Sequence, residues 1–89
     1  MALFVISYDL HVRRDYARII HRLRSTGAVK ALESTWLAET NATAAAVRDD
    51  LKQYVDSDDT LLILELKPGS GWAARNMNQE AVDWLKLRL

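Results

Sequence analysis

The run Ala2-Leu3-Phe4-Val5-Ile6-Ser7-Tyr8 is almost unbroken in apolar residues and ends on Asp9. Side chains of a strand alternate between two faces, so a strand with no regularly polar face is one covered on both sides. This stretch is therefore expected to be a central strand of a small α/β domain. It carries one carboxylate to its C-terminal end. A basic segment follows, and the rest of the chain must supply the layers that cover the strand.

From Arg13 to Ser25, Tyr16, Ile19, Ile20 and Leu23 recur at helical spacing, while Arg14, Arg18, His21 and Arg22 fall mainly on the other side. Gly27 follows where a left-handed residue would end the helix. Between Ala28 and Glu39 no single alternation holds, which fits two short strands or one strand kinked near Glu33-Ser34. Thr40-Asn41-Ala42-Thr43 offers caps for a second helix running to about Val55. Asp56-Ser57-Asp58-Asp59 reads as a turn, Thr60 to Leu66 as a second strongly apolar strand, and Pro68 to Gly71 as a hinge. A last helix is expected from about Met77 to Arg88, with Asn76 as its N-cap and Ala81, Val82, Leu85 and Leu89 as its stripe.

Strand, helix, two strands, helix and strand in that order make the βαββαβ plan of a ferredoxin-like sandwich, here with an extra C-terminal helix. Residues 1–67 would form the core. Residues 68–89 would form a hinge and a helix packed on that core or on a partner. The plan puts the final core strand at a sheet edge, yet Leu61 to Leu64 is too apolar for an edge left open to water. A cover is expected, either the C-terminal segment or a second copy of the chain.

Eighty-nine residues suit one domain, and a chain this short gains from the extra burial of a dimer. The absence of cysteine removes disulfides, thiolate metal sites and cysteine nucleophiles. Leu3 to Ile6 is too short for a signal peptide and no charge precedes it, and no apolar run approaches membrane-spanning length. A cytoplasmic protein is expected. The net charge of zero hides an asymmetry. Arg13, Arg14, Arg18, Arg22, Arg24 and Lys30 face a single acid, Asp15, within residues 13–30, whereas the following stretch to Leu66 is acidic. Such a division can mark a polyanion-binding side, although a solvated helix face would read the same way.

Tyr8-Asp9-Leu10, Arg13-Arg14, Leu23, Gly27, Ser34-Thr35-Trp36 and Asp59 to Leu64, taken in order, give the chain a resemblance to the Cas-two family. These are the small CRISPR-associated adaptation nucleases, and the likeness is closer to their SinR-like relatives. It covers roughly residues 3 to 66. The resemblance implies a homodimeric ferredoxin-like domain that acts as a metal-dependent nuclease or as a non-catalytic scaffold on DNA. It implies that Asp9 is the metal carboxylate, that Arg13 and Arg14 lie near phosphates, and that Ser34 and Trp36 match the second-strand motif. Many family members close with a further strand that pairs with the partner subunit, whereas Trp72 to Leu89 here is patterned as a helix.

Mg²⁺ takes one or two carboxylates together with waters and phosphate oxygens, so one Asp per chain would serve only if a dimer axis paired two copies of Asp9. A lone Asp after a strand is otherwise a turn former or a helix cap. His11 could act as a base but reads equally as an exposed loop residue. Ser34 has no adjacent base, the Asp56 to Asp59 cluster lacks the glycine and terminal Glu of a calcium loop, and Gly69-Ser70-Gly71 lacks the lysine of a phosphate loop. Trp36, Trp72 and Trp84 could stack on bases, though tryptophans in small domains more often pack in cores or interfaces. The leading expectation is a Mg²⁺-dependent endonuclease acting on RNA or DNA. Asp9 would ligate metal, Arg13, Arg14, Arg18 and Arg22 would hold nucleic acid, and Trp72, Leu62 and Leu64 would make the dimer contact. The alternative is a non-catalytic module binding nucleic acid or protein, such as an accessory or inhibitory protein of a mobile element.

Overall fold

A computed structural model describes residues 1–11 and 16–89. The chain is a mixed α+β domain. Its elements in order are β1 (Ala2–Asp9), α1 (Ala17–Ser25), β2 (Val29–Leu32), β3 (Thr35–Thr40), α2 (Ala44–Leu51), β4 (Thr60–Leu66) and α3 (Gln79–Arg88). The four strands form one sheet in the order β2-β3-β1-β4, and every neighbouring pair is antiparallel. In β1, Ile6 lies opposite Trp36 of β3 on one side and Ile63 of β4 on the other.

The unbroken apolar character of β1 has its reason in this arrangement. Phe4, Ile6 and Tyr8 join Ile19 and Leu23 of α1, Leu51 of α2 and Trp36 in a buried cluster on one face. Each aliphatic or aromatic side chain so buried stabilises by about 1.5–3 kcal/mol. The other face holds Leu3, Ala31 and Leu37 against Ala81, Trp84 and Leu85 of α3. Cover on that face fades along β1: Leu3 is buried, Val5 and Ser7 are half-buried, and Asp9 is exposed. The C-terminal helix thus packs on its own protomer, and its tryptophan is part of the core rather than beside it.

Local chemistry sets the element ends. α1 stops in a Schellman turn: Ala28 N–H donates to the Leu23 carbonyl and Gly27 N–H to that of Arg24, with Gly27 at φ 83°. The segment from residue 28 to 40 resolves into two strands, with a turn at Glu33-Ser34 and a register shift between Lys30 and Leu32. Thr43 Oγ1 accepts from Ala46 N–H at 3.1 Å and caps α2. That helix ends at Leu51, earlier than its apolar spacing suggests, and tightens into a 3₁₀ turn over Lys52–Tyr54 that carries Tyr54 onto the core.

The start of α3 differs from expectation. Asn76 is not its cap but lies at φ 60°, a conformation asparagine tolerates. Asn78 caps instead. Its Oδ1 accepts from Ala81 N–H at 2.9 Å, and its Nδ2 donates to the Lys30 carbonyl at 2.8 Å, tying the helix to β2. Arg88 reaches Glu39 of β3 at 3.4 Å from the other end. Between β4 and α3, Ser70 N–H closes a turn on the Lys67 carbonyl, with Pro68 and Gly69 at its centre. Among the described residues, no helix is long and apolar enough to cross a membrane.

Candidate functional site

Asp9 is the last residue of β1, and alternation puts its side chain on the face of Leu3, Val5 and Ser7. It is exposed, and among the described residues its carboxylate has no hydrogen-bond or ion-pair partner. It caps no helix, since α1 begins at Ala17 after Tyr16. Ser7 shares that face and shares a proton with Thr35 across the β1–β3 ladder, Oγ to Oγ1 at 3.3 Å.

Leu62 and Leu64 of β4 lie on the same face, opposite Ser7 and Val5. They are 52% and 51% exposed although they stand within a regular strand. Their neighbours Leu61 and Ile63 pack against the helix-covered core instead. α3 reaches Leu66, at the far end of β4, and leaves the two leucines uncovered. The cover expected for this edge is therefore not supplied by the protomer's own C-terminal segment. Trp72, in the segment leading to α3, is 38% exposed.

The strand end that bears Asp9 is held by a second carboxylate. Asp59 Oδ1 accepts from the backbone N–H of His11 at 2.8 Å, and its Oδ2 accepts from that of Asp56 at 2.7 Å. The His11 N–H bond above all, with a lesser contribution from the Asp56 bond, holds the Asp59 carboxyl below its usual pKa against the opposing effect of desolvation. The Asp56 to Asp59 cluster is thus a hydrogen-bonded turn, closed also by Asp59 N–H on the Asp56 carbonyl. Sequence reasoning found the turn but not its bond to His11. The partner lies 48 residues away and leaves no local signal.

The basic residues divide by what they already touch. Arg13 and Arg14 lie outside the described residues. Arg18 donates to the Gln53 carbonyl at 2.6 Å, a neutral partner, and has no ion pair among the described residues. Arg22 makes two bonds to the Asp50 carboxylate, at 2.9 and 2.8 Å, which raise the guanidinium above its usual pKa. It also lies over the Tyr54 ring at 5.6 Å. Arg24 sits over Trp36 at 5.8 Å. α1 packs on the face of Phe4, Ile6 and Tyr8, so Arg18 and Arg22 belong to the layer opposite the one toward which Asp9 points.

Trp36 is 1% exposed and donates its Nε1–H to the Tyr8 hydroxyl at 3.1 Å, so it is core and no stacking platform. Burial is the main influence on Tyr8, and it raises the phenol above its usual pKa. Among the described residues no group of three or more His, Asp or Glu side chains could hold a metal ion, and at this end of the sheet the Asp59 carboxylate is already engaged by two backbone amides. No family model matches the chain, and no solved structure matches it.

Proposed function

We propose that the chain is a small homodimeric, metal-dependent endonuclease of the Cas-two kind, acting on phosphodiester bonds of RNA or DNA. The observation that carries this reading is an exposed Asp9, without a partner among the described residues, on the same sheet face as the exposed leucines Leu62 and Leu64. Large apolar side chains left open on an edge strand favour association, and a second copy seated there would bring two Asp9 side chains toward each other. Two carboxylates suit Mg²⁺, which when bound supplies charge neutralisation and an activated water. Phosphate near Asp9 would fall to Arg13 and Arg14, as the resemblance implies, since Arg18 stands on the opposite layer of the sheet. The element order and the strand order β2-β3-β1-β4 support a ferredoxin-like core.

The test is cleavage of labelled RNA and DNA with and without Mg²⁺, by the wild-type chain and by Asp9→Ala. Cleavage that needs Mg²⁺ and falls at least a hundredfold in Asp9→Ala, with the fold retained, is expected (roughly the loss that follows removal of a metal's carboxylate support). Metal-independent cleavage, or none, ends the nuclease reading.

The second reading is a non-catalytic module that binds nucleic acid or protein. The placement of Arg18 on the sheet layer opposite Asp9 favours it, since a phosphate held there is remote from that carboxylate. Such a module would retain nucleic acid in a salt-dependent way, survive Asp9→Ala and weaken in Arg18→Ala.

A further inference from the structure

We infer that Asp59 is a positioning residue for Asp9, acting by clasping the chain as it leaves β1 to the turn that enters β4. The inference rests on the reading of Asp9 above and adds a residue that sequence reasoning left as a turn former.

Little else holds Asp9. The pairing of β1 with β3 runs only to Ser7 opposite Thr35, with one further bond from Tyr8 N–H to the Ser34 carbonyl. Asp9 therefore has a ladder neighbour on one side only, Thr60 of β4. A strand end supported from one side frays readily. Two things oppose this. Leu10 is 4% exposed and buries its side chain in the helix-covered core, which fixes depth but, being a non-directional contact, not the orientation of the preceding residue. The Asp59 carboxylate supplies the direction. It stands one position before Thr60, at the same end of β4 that pairs with Asp9.

Its two oxygens take separate tasks, one gripping His11 N–H beyond β1 and the other closing the Asp56 turn on its own strand entry. Both bonds are short and charge-assisted, the stronger class of hydrogen bond. Between them they brace Asp9 across the ladder, where Thr60 of β4 pairs with it, and along the chain, where His11 follows it. Breaking the clasp would leave the leucine face and the core intact while freeing the residue that must meet its twin.

The chain has no cysteine, so Asp9→Cys introduces a unique thiol that reports the distance between the two copies of residue 9. We would compare Asp9→Cys with Asp9→Cys/Asp59→Ala and Asp9→Cys/Asp59→Asn. The measurements are sedimentation for assembly, thermal melting for fold, and the rate of disulfide cross-linking under diamide. All three are expected to be folded dimers. Cross-linking should slow about tenfold in the Ala variant, the factor that one lost charge-assisted bond of ~1.4 kcal/mol represents. The Asn variant keeps one acceptor oxygen and should fall between, which also covers the case of an Ala variant that does not fold. Equal cross-linking rates in dimers of all three overturn the role of Asp59 and leave the dimer reading standing. A monomeric Asp9→Cys chain, or a dimer that never cross-links, overturns the pairing of Asp9 itself and the inference with it.

Discussion

The two faces of the sheet are built to different degrees of completion. On one, Phe4, Ile6, Tyr8 and Trp36 are sealed beneath α1 and α2, and the Tyr8 hydroxyl is satisfied by the indole of Trp36. On the other, α3 seals Leu3, Ala31 and Leu37 and stops short of Leu62, Leu64 and Asp9. The second face ends in exposed leucines beside a carboxylate that has no partner among the described residues, and neither adds to the stability of the protomer. Stability thus resides in one layer and the candidate chemistry in the other, and substitutions should separate them.

The largest effect belongs to the sealed face. Trp36→Ala should cost about 3–5 kcal/mol, since it opens a cavity against Phe4 and Ile6 and strips the Tyr8 hydroxyl of its donor. Urea denaturation would read it. A loss below about 1 kcal/mol would mean that the cluster is loosely packed and that the contrast between the faces is overstated.

The open face should behave in the opposite way. Leu62→Thr with Leu64→Thr places β-branched side chains on the strand and removes exposed apolar surface, so each change should cost roughly 0.5 kcal/mol or less at the level of the protomer. Self-association should nonetheless be lost, as read by sedimentation. Unaltered assembly would show that the copies meet elsewhere, with Trp72 the next surface to substitute.

How much of this could be read from the residues alone follows from the range of each interaction. Patterns with a fixed period were legible. The continuous run of β1 announced a strand covered on both faces, the stripe of α1 announced Ile19 and Leu23 as core, and Gly27 announced the helix stop. The edge position of Thr60–Leu66 followed from element order, and the expectation of a cover from its unbroken apolar run, whereas which leucines stay exposed did not. What stayed hidden depended on partners far along the chain. Asn76 and Asn78 are equivalent as caps until the carbonyl of Lys30 selects the second. The Arg22 side chain looked like a phosphate ligand because Asp50, 28 residues on, was invisible as its partner. That Arg18 and Asp9 stand on opposite layers of the sheet is a consequence of strand alternation beyond the reach of sequence adjacency, since only nine residues separate them.

The smallest predicted effect tests the tie between the strands at the open end. Asp59 has a carboxyl held below its ordinary pKa by the His11 and Asp56 amides. A depressed folded-state value means that the unfolded chain binds the proton more tightly than the native one does. The clasp's contribution is then fully present above the unfolded carboxylate value, near 4, and is lost as pH falls through the lower folded value. Wild type and Asp59→Asn should therefore differ most in melting temperature at neutral pH and converge as the solution is made strongly acid. The His11 imidazole also acts on the Asp59 carboxyl through its charge, so the comparison needs a His11→Gln background, in which the amide donor survives and the imidazole does not. A gap that persists unchanged into acid would mean that Asp59 contributes through packing of its turn, and the open face would then owe its geometry to Leu10 and the β4 ladder alone.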